Sequence, residues 1–107
     1  MNIVSPLQLA ARLRESAPPR LLDVREPEEL AIAALPGALH IPLGELAERI
    51  DELEAGRDLE WVVICHHGVR SAMATGFLAA NGFSRAINLS GGIDRWSLEV
   101  DPGVPRY

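Results

Sequence analysis

Apolar residues recur in short runs along this chain, and prolines and glycines cut those runs into brief segments. Ile3-Val4 reads as a minimal first strand. Ser5-Pro6-Leu7-Gln8 reads as a helix start, with Ser5 as N-cap, Pro6 at the first helical position and Gln8 closing a capping box. Leu7, Ala10, Ala11 and Leu13 form its apolar stripe, and Pro18-Pro19 end it. Leu21-Leu22-Asp23-Val24 is a short buried strand that stops at the charged Arg25-Glu26. Pro27 through Ala34 reads as a short helix with acids in its first turn. Pro36-Gly37 is a turn, and Ala38-Leu39-His40-Ile41 is a third strand stopped by Pro42. Leu43, Leu46, Ala47, Ile50 and Leu53 fall at helical spacing, opposite an acidic face of Glu45, Glu48, Asp51, Glu52 and Glu54. Gly56 is the expected cap of that helix.

Trp61-Val62-Val63-Ile64-Cys65 is an unbroken, β-branched run and predicts a central strand. His66-His67-Gly68-Val69 is a loop. The spacing predicts a helix over 70–81, with Met73, Phe77 and Ala80 on one face and Gly82 as cap. Ala86-Ile87-Asn88-Leu89 is a fifth strand. Gly91-Gly92 opens a last helix carrying Ile93, Trp96 and Leu98, and the tail from Asp101 to Tyr107 reads as irregular. Strands alternating with helices predict an α/β fold with a parallel sheet covered on both faces and right-handed crossovers. Sites in such sheets lie beyond the carboxyl ends of the strands. Cys65 stands at that end of the most apolar strand. No repeat, low-complexity tract or linker divides the 107 residues, so one domain over 1–107 is expected.

Composition narrows the function classes. There are 15 acids against 10 bases, a formal charge of -5, and every base is an arginine. Such a chain is a poor general nucleic-acid binder, so no nucleic-acid partner is expected. One cysteine excludes an internal disulfide and a multi-cysteine zinc site. The apolar runs fall short of a membrane span, and the first residues carry neither a basic patch nor an apolar run. A soluble protein of the reducing cytoplasm, without a membrane partner, is the expectation.

The segment Cys65-His66-His67-Gly68-Val69-Arg70-Ser71 joins a strand end to a helix start. Successive N–H groups of such a loop form an anion-binding nest, and the helix dipole adds partial positive charge. Gly68 permits a turn that other residues resist. Arg70 supplies a permanent cation. A cysteine here is expected to have thiolate character and to act as a nucleophile toward an anionic group. The competing reading is a small core cysteine. That reading explains neither the glycine, nor the arginine, nor the helix start that follow.

The same segment resembles the active-site loop of rhodanese-like domains, in the form C-x-x-G-x-R-S. Leu22-Asp23-Val24-Arg25-Glu26 resembles the family's D-V-R-E segment, and Leu35-Pro36-Gly37-Ala38 with His40-Ile41-Pro42 resembles its I-P-G-A-x-x-I-P stretch. Asn81-Gly82-Phe83, and Gly91-Gly92-Ile93 with Trp96, resemble its closing elements. The ending, Val100 to Tyr107, is similar to the tail of many small bacterial members. One departure is Ala33-Ala34, where the family commonly has Gly-His. The resemblance spans nearly the whole chain. It implies a rhodanese-like three-layer α/β/α fold with a five-stranded, mostly parallel central sheet.

The implied chemistry is sulfane-sulfur transfer of the thiosulfate sulfurtransferase type, with no cofactor and no metal. Cys65 takes sulfur from a small anionic donor such as thiosulfate and holds it as a persulfide. An external thiol or cyanide, or a protein sulfur acceptor, then removes it. With no second cysteine, the acceptor has to come from outside. The alternative is a relay module that passes persulfide between protein partners with little thiosulfate activity; an inactive scaffold is disfavoured by Cys65. The C-x4-R loop is one residue shorter than the C-x5-R loop of related phosphatases, which favours sulfur over phosphoryl transfer. The expected substrate-binding residues are His66, His67, Gly68, Val69, Arg70 and Ser71. The two histidines either turn their rings to solvent or, protonated, help bind the donor. Arg25 is expected at the pocket rim, drawing the donor, with Asp23 as structural support. The alternative for both is a structural ion pair. Trp61 and Trp96 are expected to pack.

Overall fold

Strands alternate with helices along the computed structural model, which describes residues 2–107. Strand β1 is Asn2–Val4, β2 Arg20–Asp23, β3 Leu39–His40, β4 Trp61–Ile64 and β5 Ala86–Leu89. Helix α1 is Pro6–Arg12, α2 Pro27–Ile32, α3 Leu46–Arg49, α4 Val69–Ala80 and α5 Gly92–Glu99. The strands form one sheet in the order β1-β5-β4-β2-β3, and every neighbouring pair is parallel.

The apolar run at β4 is buried along its whole length because both faces of the sheet are covered. Trp61, Val63 and Cys65 face one core, shared with Ala74 and Leu78 of α4, Leu46 of α3 and Leu53. Val62 and Ile64 face the other, shared with Leu9 of α1 and Ile93 and Trp96 of α5. This two-residue alternation makes the three-layer α/β/α arrangement. No helix among the described residues is long and apolar enough to cross a membrane.

Local signals place the ends well where side chains cap them. Gln8 N–H donates to Ser5 Oγ at 3.1 Å, and Ser5 N–H donates to Gln8 Oε1 at 2.9 Å, the reciprocal capping box. Several expectations need correction. Helix α1 stops at Arg12, before the paired prolines. Its inward stripe is Pro6, Leu9, Ala10 and Leu13, whereas Leu7 is exposed. Counting Pro6 only as a helix starter hid this i, i+3, i+4, i+7 face. The stretch after Pro42 is broken into 3-10 turns over Leu43–Glu45 and Ile50–Gly56 around the four-residue α3. Gly56 is not the cap, which is Arg57; it serves close packing instead, since a Cβ there meets the Trp61 ring at 3.1 Å. On α4 the buried face is Ser71, Ala74, Thr75 and Leu78, while Met73 is exposed and Phe77 half-buried. Two inward polar residues disguised that face. On α5, Leu98 is exposed.

Candidate active site

Cys65 follows the last residue of β4 and is 1% exposed. Just beyond it the chain must reverse into α4. Gly68 makes the turn at φ +103°, where a Cβ would also meet Gly91 N at 3.1 Å. The turn brings Gly68 N–H onto Cys65 Sγ at 3.0 Å. Helix α4 starts one residue later, so its positive end faces the sulfur.

The start of α5 shapes the loop from behind. Ile93 N–H donates to Cys65 O at 2.9 Å, and Asp94 N–H donates to His66 O at 3.1 Å. Among the described residues no peptide bond is cis, so the N–H groups of His66 and His67 point away from α5. Gly92 permits this approach. At φ +64°, a Cβ there would lie 2.4 Å from both Cys65 O and His66 O.

Ser71 stands on the first turn of α4, fully buried, with Oγ 3.2 Å from Cys65 Sγ. Its hydroxyl donates to Asn88 Oδ1 at 2.5 Å. The Asn88 amide is oriented by its Nδ2–H, which donates to Gly68 O at 3.3 Å. Ser71 has one proton and two acceptors to serve. With Cys65 as thiol, S–H donates to Ser71 Oγ and Ser71 donates to Asn88. With Cys65 as thiolate, the hydroxyl rotates to the sulfur. One rotation therefore accommodates both protonation states.

Arg70 does not stand free. Its Nη1 and Nη2 donate to Glu29 Oε2 and Oε1 at 2.6 and 2.8 Å, a bidentate pair. Glu29 also accepts from Glu26 N–H at 2.9 Å and from Tyr107 Oη at 2.8 Å. The Arg70 bond, against an opposing effect of burial, holds the Glu29 carboxyl at about 2. The expected cation beside the sulfur is thus offset by a carboxylate 41 residues away in sequence.

Arg25 and Asp23 are both at 0% exposure, so the expectation of a donor-attracting arginine at the rim is corrected. Arg25 Nε and Nη2 donate to Asp23. Its remaining N–H groups reach Ala33 O at 2.7 Å, Glu29 O at 3.4 Å and Tyr107 Oη at 2.9 Å. All five guanidinium protons are in use, leaving none for a substrate. The pair ties the end of β2 to α2 and the tail.

The two histidines part company. His67 is exposed, with Nδ1 3.8 Å from Asp94 Oδ2. His66 is packed between His67 and Tyr107; its ring centroid lies 3.8 Å from each, and the Tyr107 ring is within 6° of parallel. His66 Nε2 is buried without a partner. Burial, then the neighbouring His67, pushes its pKa below the usual histidine value. That shift, with the ring packed between His67 and Tyr107, disfavours the protonated donor-binding role expected for it. Val69 turns its side chain to solvent at the start of α4.

Glu29, Asn88 and Tyr107 were not among the sequence candidates. Asn88 had a signal, a polar residue inside an otherwise apolar strand. In the sequence Glu29 is marked only as a helix-start acid, and Tyr107 only as part of an irregular tail. Their roles arise from contacts made across 41, 17 and 78 residues.

The family model described as a rhodanese-like domain matches residues 5–99. A sulfurtransferase of Allochromatium vinosum is 34% identical over 104 residues, covering 97% of this chain and 95% of that protein. A putative sulfur carrier protein of Bacillus subtilis is 43% identical over 81 residues, covering 76% of this chain and 43% of that protein. The chain spans less than half the length of two of the curated relatives it matches, and nearly all of a third. The crystal structure of a rhodanese-related protein from Thermoplasma volcanium superposes with a TM-score of 0.86 at 36% identity, covering 100% of both chains. A match running from the cap of α1 to the end of α5, on a sheet of this topology, makes the chain a member of the rhodanese-like domain family.

Proposed function

We propose that residues 1–107 act as a sulfur-transferring domain in which Cys65 carries sulfane sulfur as a persulfide. The observation that carries this reading is the pair of polar contacts on Cys65 Sγ, Gly68 N–H at 3.0 Å and Ser71 Oγ at 3.2 Å, at the start of α4. These groups stabilise an anionic sulfur without a metal or a second cysteine. In the forward step the Cys65 thiolate attacks the outer sulfur of a donor. With thiosulfate, the S–S bond breaks, sulfite leaves with the electron pair, and Cys65 holds the persulfide anion. An external nucleophile, a thiol or cyanide, then attacks the outer sulfur and regenerates the thiolate. This is double displacement through a covalent intermediate, with ping-pong kinetics.

A second reading has its own support. The sulfur carrier relative is 43% identical, and Cys65 is 1% exposed with no unpaired arginine beside it. Both favour a module that receives persulfide from a protein and passes it on. A thiosulfate–cyanide assay on wild type and Cys65→Ser, with mass spectrometry of the donor-treated protein, tests both. The expected result is a gain of one sulfur atom at Cys65, absent from Cys65→Ser. Gain from a persulfidated protein but not from thiosulfate selects the relay reading. No gain from either donor overturns sulfur transfer by this chain.

A further inference from the structure

We propose that Tyr107 selects the sulfur donor, closing the mouth of the Cys65 loop to thiosulfate while admitting sulfur delivered as a thiol persulfide. The proposal rests on the persulfide reading of Cys65 and adds to it the chemical class of the donor.

Tyr107 is tied to the site from three sides. Its ring stacks on His66, the residue that follows Cys65, with centroids 3.8 Å apart. Its hydroxyl accepts an Arg25 N–H at 2.9 Å and donates to Glu29 Oε1 at 2.8 Å. The tail that carries it is anchored on α5. Ser97 Oγ donates to Val104 O at 2.6 Å, and Arg106 Nε donates to Asp94 Oδ1 at 2.8 Å. These contacts hold an aromatic ring against His66, the residue that follows a cysteine only 1% exposed.

The charges around that ring cancel in pairs. Arg25 is matched by Asp23, Arg70 by Glu29 and Arg106 by Asp94. Burial, then His67, disfavours positive charge on His66, which also faces Asp94 of α5, Glu29 of α2 and Tyr107. Thiosulfate is a dianion, and its sulfonate must follow the outer sulfur toward the mouth. There it meets the Tyr107 ring and the Glu29 carboxylate, and Arg70 is already bound to that carboxylate. Glu29 accepts four hydrogen bonds, one of them from Tyr107, so the tyrosine helps hold the carboxylate against Arg70. Like charges brought together without a free counter-charge are the means by which a site rejects a ligand.

A thiol persulfide carries no sulfonate. Its terminal sulfur is narrow, and the transfer needs no dianion site. The Cys65 thiolate attacks the outer sulfur of R–S–SH, the donor S–S bond breaks, and R–S⁻ leaves with the electron pair. Cys65–S–SH remains, with one negative charge on each side of the reaction and no oxidant or reductant consumed.

The test compares wild type, Tyr107→Phe and Tyr107→Ala with two probes, thiosulfate and glutathione persulfide. Steady-state kcat and KM are measured with each donor, alongside mass spectrometry of Cys65 and thermal melting to check folding. Tyr107→Ala should lower KM for thiosulfate by about tenfold relative to KM for glutathione persulfide. Tyr107→Phe keeps the stack and removes one of the four hydrogen bonds on Glu29, and should give an intermediate drop of about threefold in the same ratio. Parallel changes for both donors, or an unmoved thiosulfate KM in both variants, overturn the selecting role while leaving Cys65 as the carrier. No sulfur on Cys65 from either donor in any variant overturns the carrier reading itself, and the selecting role with it.

Discussion

Gly92 and Gly37 both have positive φ, +64° and +81°, but only Gly92 is pressed against other backbone. The Gly92→Ala and Gly37→Ala pair therefore separates conformational strain from steric overlap. At Gly37 an added Cβ meets nothing within 4 Å, so the cost is the left-handed conformation alone, about 1–2 kcal/mol. At Gly92 the same cost applies, and the Cβ also falls 2.4 Å from Cys65 O and His66 O. That is about 0.6 Å inside the 3.0 Å that real Cβ atoms respect, so backbone must move. Moving it strains or breaks the bonds from Ile93 N–H and Asp94 N–H, each worth about 1 kcal/mol net. The expected destabilisation is about 3–4 kcal/mol for Gly92→Ala against about 1–2 for Gly37→Ala. Urea unfolding followed by fluorescence of the buried Trp61 and Trp96 measures both. The loop effect should also appear in the chemistry, because the displaced carbonyls belong to Cys65 and His66. Sulfur loading of Cys65 should fall in Gly92→Ala and stay at the wild-type level in Gly37→Ala. Equal destabilisation of the two variants, with equal loading, would refute the claim that α5 shapes the cysteine loop.

Three further outcomes follow from the site. Glu29→Gln should flatten the acid limb of stability. The folded Glu29 carboxyl sits at about 2 against an ordinary 4.5, so its contribution is complete above about 4.5 and disappears as pH falls through 2. The gap from 4.5 to about 2 corresponds to at most about 3–4 kcal/mol, measured as unfolding free energy across that window; a limb identical to wild type sinks the pairing. Asp23→Asn leaves Arg25 buried beside a neutral partner and should cost about 3–5 kcal/mol in urea unfolding, whereas a loss below about 1 kcal/mol would mean the pair is not what anchors β2. Ser71→Ala removes the hydroxyl that faces the sulfur and should slow single-turnover sulfur loading by at least about tenfold, while an unchanged rate would remove Ser71 from anion stabilisation.

The sheet and the cysteine loop were legible because local signals carry them. The Trp61 to Cys65 run, the Ser5–Gln8 box and the Gly-then-helix turn after Cys65 each act within a few residues. The face of α4 escapes the apolar pattern for a physical reason. Ser71 and Thr75 are buried because their hydroxyls are satisfied, Thr75 by Ser71 O at 2.7 Å and Ser71 by Asn88. A pattern that equates polar with outward cannot find them. Arg25 shows the same limit from the other side. Its place after a strand end was visible, but its burial depends on Asp23, Ala33 and Tyr107 together consuming its donors.

Arg70 was assigned the task of making an anion site within a chain of net charge -5, and its pairing with Glu29 moves that task elsewhere. The remaining sources are uncharged. Two carbonyls of the loop are drawn off by the start of α5, which turns the following N–H groups away from that helix. Gly68 N–H meets the sulfur directly, the Ser71 hydroxyl can turn to it, and α4 points its positive end at it. Dipoles fixed this way need no counter-ion and are already oriented when negative charge appears on sulfur. They act at short range, so they stabilise an anion bonded to Cys65 more than an anion still outside the mouth. An arginine free in the mouth would attract both. The paired arginines therefore serve geometry, with Arg70 holding α4 to α2 and Arg25 holding β2 to the tail, while backbone amides and one hydroxyl stabilise the charge.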